Sequence, residues 1–361
     1  MEQERGLRRA KAERAAKQKR ARKRKRILAL AIEIAVFILL LGMWFVISKY
    51  GKLQVHLWGA GDIVTNEGVS SNDCKTIAVF GVDSKDGNLD SGTYSDTIML
   101  ISIHQKTKEV KVVSVYQNLI TMQMDGTIHP AKEAYYRGGP QEAVSMLNRN
   151  FDLEISGYIS VDYAAVVHLI DSLGGLEWTL TEAEAAEMNL HIAETAVLTG
   201  TVASEVKSGL QILDGVKTLT YLRICKNVGG DINRTGRHAM VVKAVLEKVK
   251  KADFTTVNRI MNETFTRIST SFTLKECISI ATSGMTCKSV EFKSYAFEYK
   301  EETVKGIKNA VIPLGVKENI SELHAFLYAE PSYHVTKTVK EIADEIEAFT
   351  GYGRADYERT E

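Results

Sequence analysis

Residues 27–47 read ILALAIEIAVFILLLGMWFVI, an apolar run of 21 residues broken by one charge, Glu33. No other feature constrains the fold as much. As a helix at about 1.5 Å per residue it is about 31 Å long, and a bilayer core is about 30 Å thick. Its flanks are lopsided. Residues 1–26 hold 13 Lys and Arg against three Glu, while only Lys49 and Lys52 follow closely. That asymmetry predicts a single-pass cell-membrane protein with a cytoplasmic N-terminus and an extracytoplasmic body. Trp44 and Phe45 fall near the outer end, where amphipathic rings favour the interface. A cleaved signal peptide is the rival reading. Both stretches are longer than such a leader needs, and SKYGKLQVHLW offers no small-x-small step. Glu33 is either protonated or close to the headgroups, or it makes a helix–helix contact.

The net charge of +1 conceals this division, because residues 27–361 hold 33 basic and 42 acidic residues. The tail has no aromatic residue and no DNA-reading motif, so it predicts contact with anionic lipid headgroups rather than nucleic acid. Over the whole chain, 45% hydrophobic and 25% charged residues with only four Pro exclude a disordered chain, a collagen-like fibre and a multi-span protein. The boundaries read as a basic tail 1–26, a span 27–47, a stalk 48–74, an α/β domain 75–350 and a polar tail 351–361.

Within 75–350 the pattern predicts helices around a central mixed sheet. Apolar β-rich runs give strands at 75–82, 96–104, 109–115, 154–161, 174–180 and near 288–298. Helical spacing appears at 139–151, 162–173, 213–224, 234–251, 253–269, 273–283, 319–328 and 336–350. Residues 181–208 read as irregular. Four cysteines, Cys74, Cys225, Cys277 and Cys287, show no metal-binding spacing. Free thiols are the expectation, with a short Cys277–Cys287 loop as the alternative. His104, His129, His168 and His191 show no ligand spacing.

Two clusters carry chemistry. Asp83 ends the first strand and Asp96 opens the second. The pair either caps its turns or offers hard oxygens to Mg²⁺. Arg223 ends one helix, and Arg234 and Arg237 open the next, with Asp231 beside them. They form either a solvated face or a clamp for a diphosphate, aided by a helix N-terminus. No GxSxG, HExxH, Walker A or GxGxxG pattern supports another enzyme class.

Several co-linear blocks then resemble the LytR–CpsA–Psr family of cell-envelope proteins: IAVFGVDSKDG, SDTIMLISI, VKVVSV, AYYRGGPQEAVSMLN, YISVDYAAVVHLIDSLGGLEW and LDGVKTLTYLR. The resemblance implies an extracytoplasmic phosphotransferase. It would move a polyprenyl-diphosphate-linked glycopolymer onto peptidoglycan and release polyprenyl phosphate. It implies Mg²⁺ on Asp83 and Asp96, and a diphosphate held by Arg223, Arg234 and Arg237 with Asp231. The lipid would lie in an apolar cavity lined by Val79, Ile98, Leu100, Val166, Val241 and Val245.

This chain also departs from the family pattern. Tyr94, Gln117 and Cys225 stand where the family carries arginines, Asn118 where it carries an aspartate, and His238 where it carries a glutamine. Lys85, Lys132, Arg137 and Lys226 are the residues available to compensate near the substrate, and Gln117 is itself a substrate-binding candidate. Lysine, a point charge, does not copy the guanidinium fork. The departures leave open a paralogue that binds the lipid or a partner without turnover. A membrane-bound transcriptional regulator is a third reading.

Overall fold

The computed structural model describes residues 37–59, 61–71, 73–84, 87–225, 228–353 and 355, without the side chains of 230–232. The first ten residues of the predicted span, 27–36, therefore lie outside the described residues. Its described part is a helix, α1, over residues 37–50 that exposes Phe37, Leu39 and Trp44. Among the described residues no helix is long and apolar enough to cross a membrane. The chain divides into two compact units, Met1–Gly51 and Lys52–Glu361.

The second unit opens with β1 (Gln54–Val55), β2 (Cys74–Val82), β3 (Ser95–His104), β4 (Val110–Val115), β5 (Ile120–Met122) and β6 (Ile128–Pro130). Next come α2 (Lys132–Phe151), β7 (Ile155–Asp162), α3 (Tyr163–Ser172), β8 (Leu176–Leu180), α4 (Glu182–Thr199), β9 (Gly209–Leu213), α5 (Gly215–Arg223) and α6 (Gly230–Lys251). It closes with α7 (Phe254–Thr264), β10 (Ile268–Thr270), α8 (Leu274–Thr286), β11 (Val290–Tyr295), β12 (Tyr299–Val304), β13 (Ile307–Pro313), α9 (Val316–Tyr328) and α10 (Lys337–Thr350). A mixed seven-stranded sheet in the order β1-β10-β7-β2-β3-β4-β11 forms the centre. This is the mixed α/β class the sequence predicts.

The pleat sorts the sheet's residues onto two faces. Ala78, Phe80 and Val82 of β2 and Ile98 and Leu100 of β3 share one core with Val113, Val144, Leu147, Leu323 and Val339, under α2, α9 and α10. Val79 and Met99 are cross-strand partners on the other face, packed with Val242 and Phe292. A third cluster joins α3, α4, α5 and α6 through Val167, Met188, Leu219 and Val241.

Four expectations are corrected. The stalk is not one over residues 52–74: Gln54 and Val55 extend the sheet beside Ser269 and Thr270, and buried Asn66 donates to Asp152 Oδ1 at 2.6 Å. The irregular stretch 181–208 contains α4, started by a reciprocal Thr181–Glu184 capping box. The helix expected over 253–269 stops at Thr264, and Ile268–Thr270 turns into a strand paired with Val161–Ile159. The helix expected from 139 is the second half of α2, which breaks at Gly138 and Gly139 before Pro140. Gly139 has φ +67°, and a Cβ there would lie 3.2 Å from Ser91 N, so the break seats the loop before β3.

Candidate functional site

One row of the sheet forms the floor of a cavity of about 350 Å³. Gly81 of β2 pairs with Thr97 of β3 on one side and Val161 of β7 on the other, and all three line it. A Cβ on Gly81 would come within 3.0 Å of Thr97 Cβ, so glycine keeps the row flat. The β2–β3 register shifts between Gly81 and Val82, where Asp96 has no direct partner. Such a bulge re-aims a side chain at a sheet end. Four helices make the walls: Tyr163 and Val166 from α3, Glu187, His191 and Glu194 from α4, Leu219, Leu222 and Arg223 from α5, and Arg234 and His238 from α6.

Asp96 is held from two sides. Tyr163 OH donates to its Oδ2. With the Gln117 amide oriented to satisfy both neighbours, its Nε2 donates to Asp96 Oδ1 at 2.8 Å. The Gln117 Oε1 then accepts from both terminal nitrogens of Arg234, at 3.0 and 2.6 Å. Burial, then the charges of Asp96 and Asp83, push the Tyr163 phenol well above its ordinary value, so it stays a donor. The two carboxylates therefore lie near one phenol. Asp83 follows β2, its N–H donates to Tyr94 O at 3.2 Å, and its Oδ1 is buried.

Arg223 reaches across α5 to α4. It donates to Thr195 Oγ1 at 3.0 Å, pairs with Glu194 at 3.4 Å, and lies 5.2 Å from the centre of the Tyr163 ring. His238 joins floor to wall, with Nδ1 3.3 Å from Thr97 Oγ1 and Nε2 2.9 Å from Leu222 O. On α4, His191 Nε2 is 3.4 Å from Glu187 Oε1, whose residue is only 3% exposed.

The structure gathers Asp96, Gln117, Arg223 and Arg234, with Asp83 beside them, and disperses other candidates. Arg237 does not line the cavity. It is buried, and its Nε, NH1 and NH2 donate to the carbonyls of Tyr221, Val228 and Ile224. Arg137 pairs with Asp125 at 2.7 Å and Glu133 at 3.6 Å, away from the cavity. Lys132 lies 5.7 Å from the Tyr94 ring centre. Lys85 and Lys226, and the side chain of Asp231, lie outside the described residues.

Of the expected lipid-lining residues only Val166 lines the cavity. Ile98 and Leu100 face the opposite side of the sheet, because β3 alternates and its cavity-side residues are Thr97 and Met99. Val79 packs in the second-face cluster, and Val241 and Val245 pack in the helical cluster. Sequence reasoning missed Tyr163, Glu187 and His191. The capping box at Thr181 was the available signal for the helix that carries the last two. No disulfide joins the four cysteines, and Cys225 lines the cavity.

The site thus sets a carboxylate, held by Tyr163 and Gln117 on a bulged strand of a mixed α/β fold, in a cavity that Arg223 and Arg234 also line. The LytR_cpsA_psr family model matches residues 50–323, and the chain belongs to that family. It is similar to the polyisoprenyl-teichoic acid–peptidoglycan teichoic acid transferase TagU of Oceanobacillus iheyensis, 27% identical over 201 residues, 54% of this chain and 57% of that protein. The chain thus spans a little over half the length of that relative. Its fold is similar to that of TagT bound to LIIa-WTA, at a TM-score of 0.56 and 17% identity, covering 82% of this chain and 100% of that one. It is also similar to that of the LytR-CPS2A-psr family protein YwtF (TagT) with bound octaprenyl pyrophosphate lipid, at 0.53 and 15%, covering 82% and 99%.

Proposed function

We propose that this protein is a membrane-anchored transferase outside the cytoplasm. It moves a glycopolymer, with its phosphate, from a polyprenyl diphosphate onto peptidoglycan. The observation that carries this reading is the chain Tyr163–Asp96–Gln117–Arg234, of which Tyr163, Asp96 and Arg234 line one cavity together with Val161, Val166, Leu219 and Leu222. Family membership and the lipid named with YwtF support it. The basic tail and the apolar run ahead of the body support the anchoring and the orientation.

Phosphoryl transfer depends on positioning and on neutralising charge. Arg223 and Arg234 bind the diphosphate oxygens, since a guanidinium offers paired donors to such a group. Tyr163 and Gln117 fix Asp96, leaving each of its oxygens a further lone pair. Asp83 and Asp96 fit Mg²⁺, which takes one or two carboxylates and completes its shell with phosphate oxygens and water. When bound, it supplies positive charge to the diphosphate. Leu219, Leu222 and Val166 hold the first isoprenoid units and exclude water from the phosphorus.

The test is the full-length protein in detergent with Mg²⁺, a polyprenyl-diphosphate-linked glycan and peptidoglycan. Polyprenyl phosphate is released, and Asp96→Ala or Arg223→Ala lowers the rate at least a hundredfold. A second reading, lipid binding without transfer, draws on Glu187 and Glu194, which bring acidic charge to a cavity with two arginines. Tight lipid binding with no polyprenyl phosphate released would select it.

A further inference from the structure

The described surface of the second unit exposes two stacked tyrosines. Tyr94 is 42% exposed and Tyr136 45%, with ring centres 4.7 Å apart and planes 13° from parallel. Single exposed aromatic residues are ordinary; a fixed pair beside a reaction site is not. The backbone holds this pair from three elements. Asp83 N–H donates to Tyr94 O at 3.2 Å from the end of β2. Gly92 N–H donates to Tyr136 O at 2.9 Å, and the break at Gly139 admits the loop between them. A slab preset in this way loses little freedom when a ligand covers it.

The surroundings are polar. Lys132 lies one helical turn before Tyr136 and 5.7 Å from the Tyr94 ring centre. Beyond it, Arg137 donates to Asp125 and Thr127. An open aromatic slab edged by charged donors and acceptors suits a ligand with one apolar face and a hydroxylated rim. A pyranose ring has that form: its C–H groups pack on the electron-rich ring face, and its hydroxyls meet the polar edge. An isoprenoid chain needs an enclosed apolar wall, which this slab lacks.

We infer that Tyr94 and Tyr136 form a platform for a sugar ring of the acceptor glycan. Tyr94 precedes Asp96 by two residues, about 7 Å along a strand. Neither tyrosine lines the cavity that takes the diphosphate. A ring on the slab is therefore outside the donor's pocket and next to the clamped carboxylate, where an attacking hydroxyl must arrive. This assignment rests on the transferase reading, whose acceptor it locates.

The test uses the full chain in detergent with two probes, a β-1,4-linked N-acetylglucosamine tetramer and geranylgeranyl diphosphate. Saturation-transfer NMR should show one face of a sugar ring against aromatic protons. Tyr136→Ala should weaken tetramer binding at least fivefold, Tyr136→Phe should hold it within twofold, and both should bind geranylgeranyl diphosphate as the wild type does. Should alanine lower the melting temperature, Tyr136→Gln, a better-solvated helix former, replaces it. Wild-type protein that binds no tetramer, or Tyr136→Ala protein that binds it unchanged, overturns the platform. Tetramer binding lost with Tyr136→Ala, in a protein that never binds the diphosphate, keeps the platform and removes the transferase reading.

Discussion

Gln117 meets Arg234 through a forked contact, its Oε1 accepting from both terminal nitrogens at 3.0 and 2.6 Å while its Nε2 donates to Asp96. A neutral side chain thus couples the cation to the carboxylate, at a position where the family resemblance implies an arginine. The consequence is a site with good geometry and less positive charge. Gln117→Arg adds a cation beside Asp96 and should tighten geranylgeranyl diphosphate binding about tenfold, in line with about 1.5–3 kcal/mol for a charge-assisted hydrogen bond discounted for Arg234 repulsion. Gln117→Glu sets two carboxylates together and should weaken binding at least tenfold. Calorimetric titration checks both, and weaker binding by the arginine variant would show that charge is not what the site lacks.

Arg237 shows why a motif position does not fix a role. It stands one helical turn from Arg234, yet its guanidinium turns inward and bonds three carbonyls around the end of α5. Burial, the largest influence, lowers its pKa, and the carbonyls keep the cation in place. Arg237→Met leaves those acceptors without donors and should cost about 2–4 kcal/mol. The thermal midpoint should fall by roughly 5–10 °C. Geranylgeranyl diphosphate affinity below the transition should change less than threefold. An affinity loss matching that of Arg223→Ala, with no thermal shift, would return Arg237 to the binding site.

How far the sequence discloses the fold follows from what each residue needs to know about its neighbours. The apolar runs of β2, β3 and β4 are bounded by polar turns, and their limits fall within about a residue of expectation. Asp83 and Asp96 were legible for the same reason, since a hairpin carries its ends together. The face each strand residue takes was not legible. It depends on register, and only the pairing of Val79 with Met99 shows that Ile98 points the other way. Strand β10 is three residues long, and its existence rests on distant contacts such as Thr270 Oγ1 to Tyr158 O at 2.8 Å. Nothing local marks it. Gln117 was visible as a departure, but its bridging role required Arg234 to arrive from a helix more than a hundred residues away.

His324 gives the body a stability that depends on pH. It is fully buried, its Nε2 lies 3.0 Å from Phe151 O, and its ring stacks 3.6 Å from Tyr333. Glu330, 3.9 Å from Nδ1, and Asp152 favour its charged form, but burial outweighs them and lowers its pKa below the ordinary 6.5. The unfolded chain therefore binds the proton more tightly than the folded one. Stability at this residue is complete above about pH 6.5 and falls as the pH drops toward the folded value. His324→Gln keeps a donor for Phe151 O and removes the titration. Urea melts at pH 7.5 and pH 5.0 should differ less for the variant than for the wild type; equal differences would assign the acid sensitivity elsewhere.

The two faces of the sheet separate the proposed lipid site from the packed core. Val166 borders the cavity next to Arg223, and a cavity of about 350 Å³ has little room to spare. Val166→Trp fills it from the α3 wall and should reduce geranylgeranyl diphosphate affinity at least tenfold while the fold persists, because the added volume enters open space. Leu100 is fully buried on the opposite face, among Ala78, Val113 and the α2 residues. Leu100→Ala removes packed methylenes and should cost about 2–5 kcal/mol, with affinity measured well below the melting transition unchanged. A Leu100→Ala protein that keeps its stability but loses the lipid would mean that the isoprenoid chain threads the α2 side of the sheet, and the site built on Gly81, Thr97 and Val161 would then hold only the diphosphate.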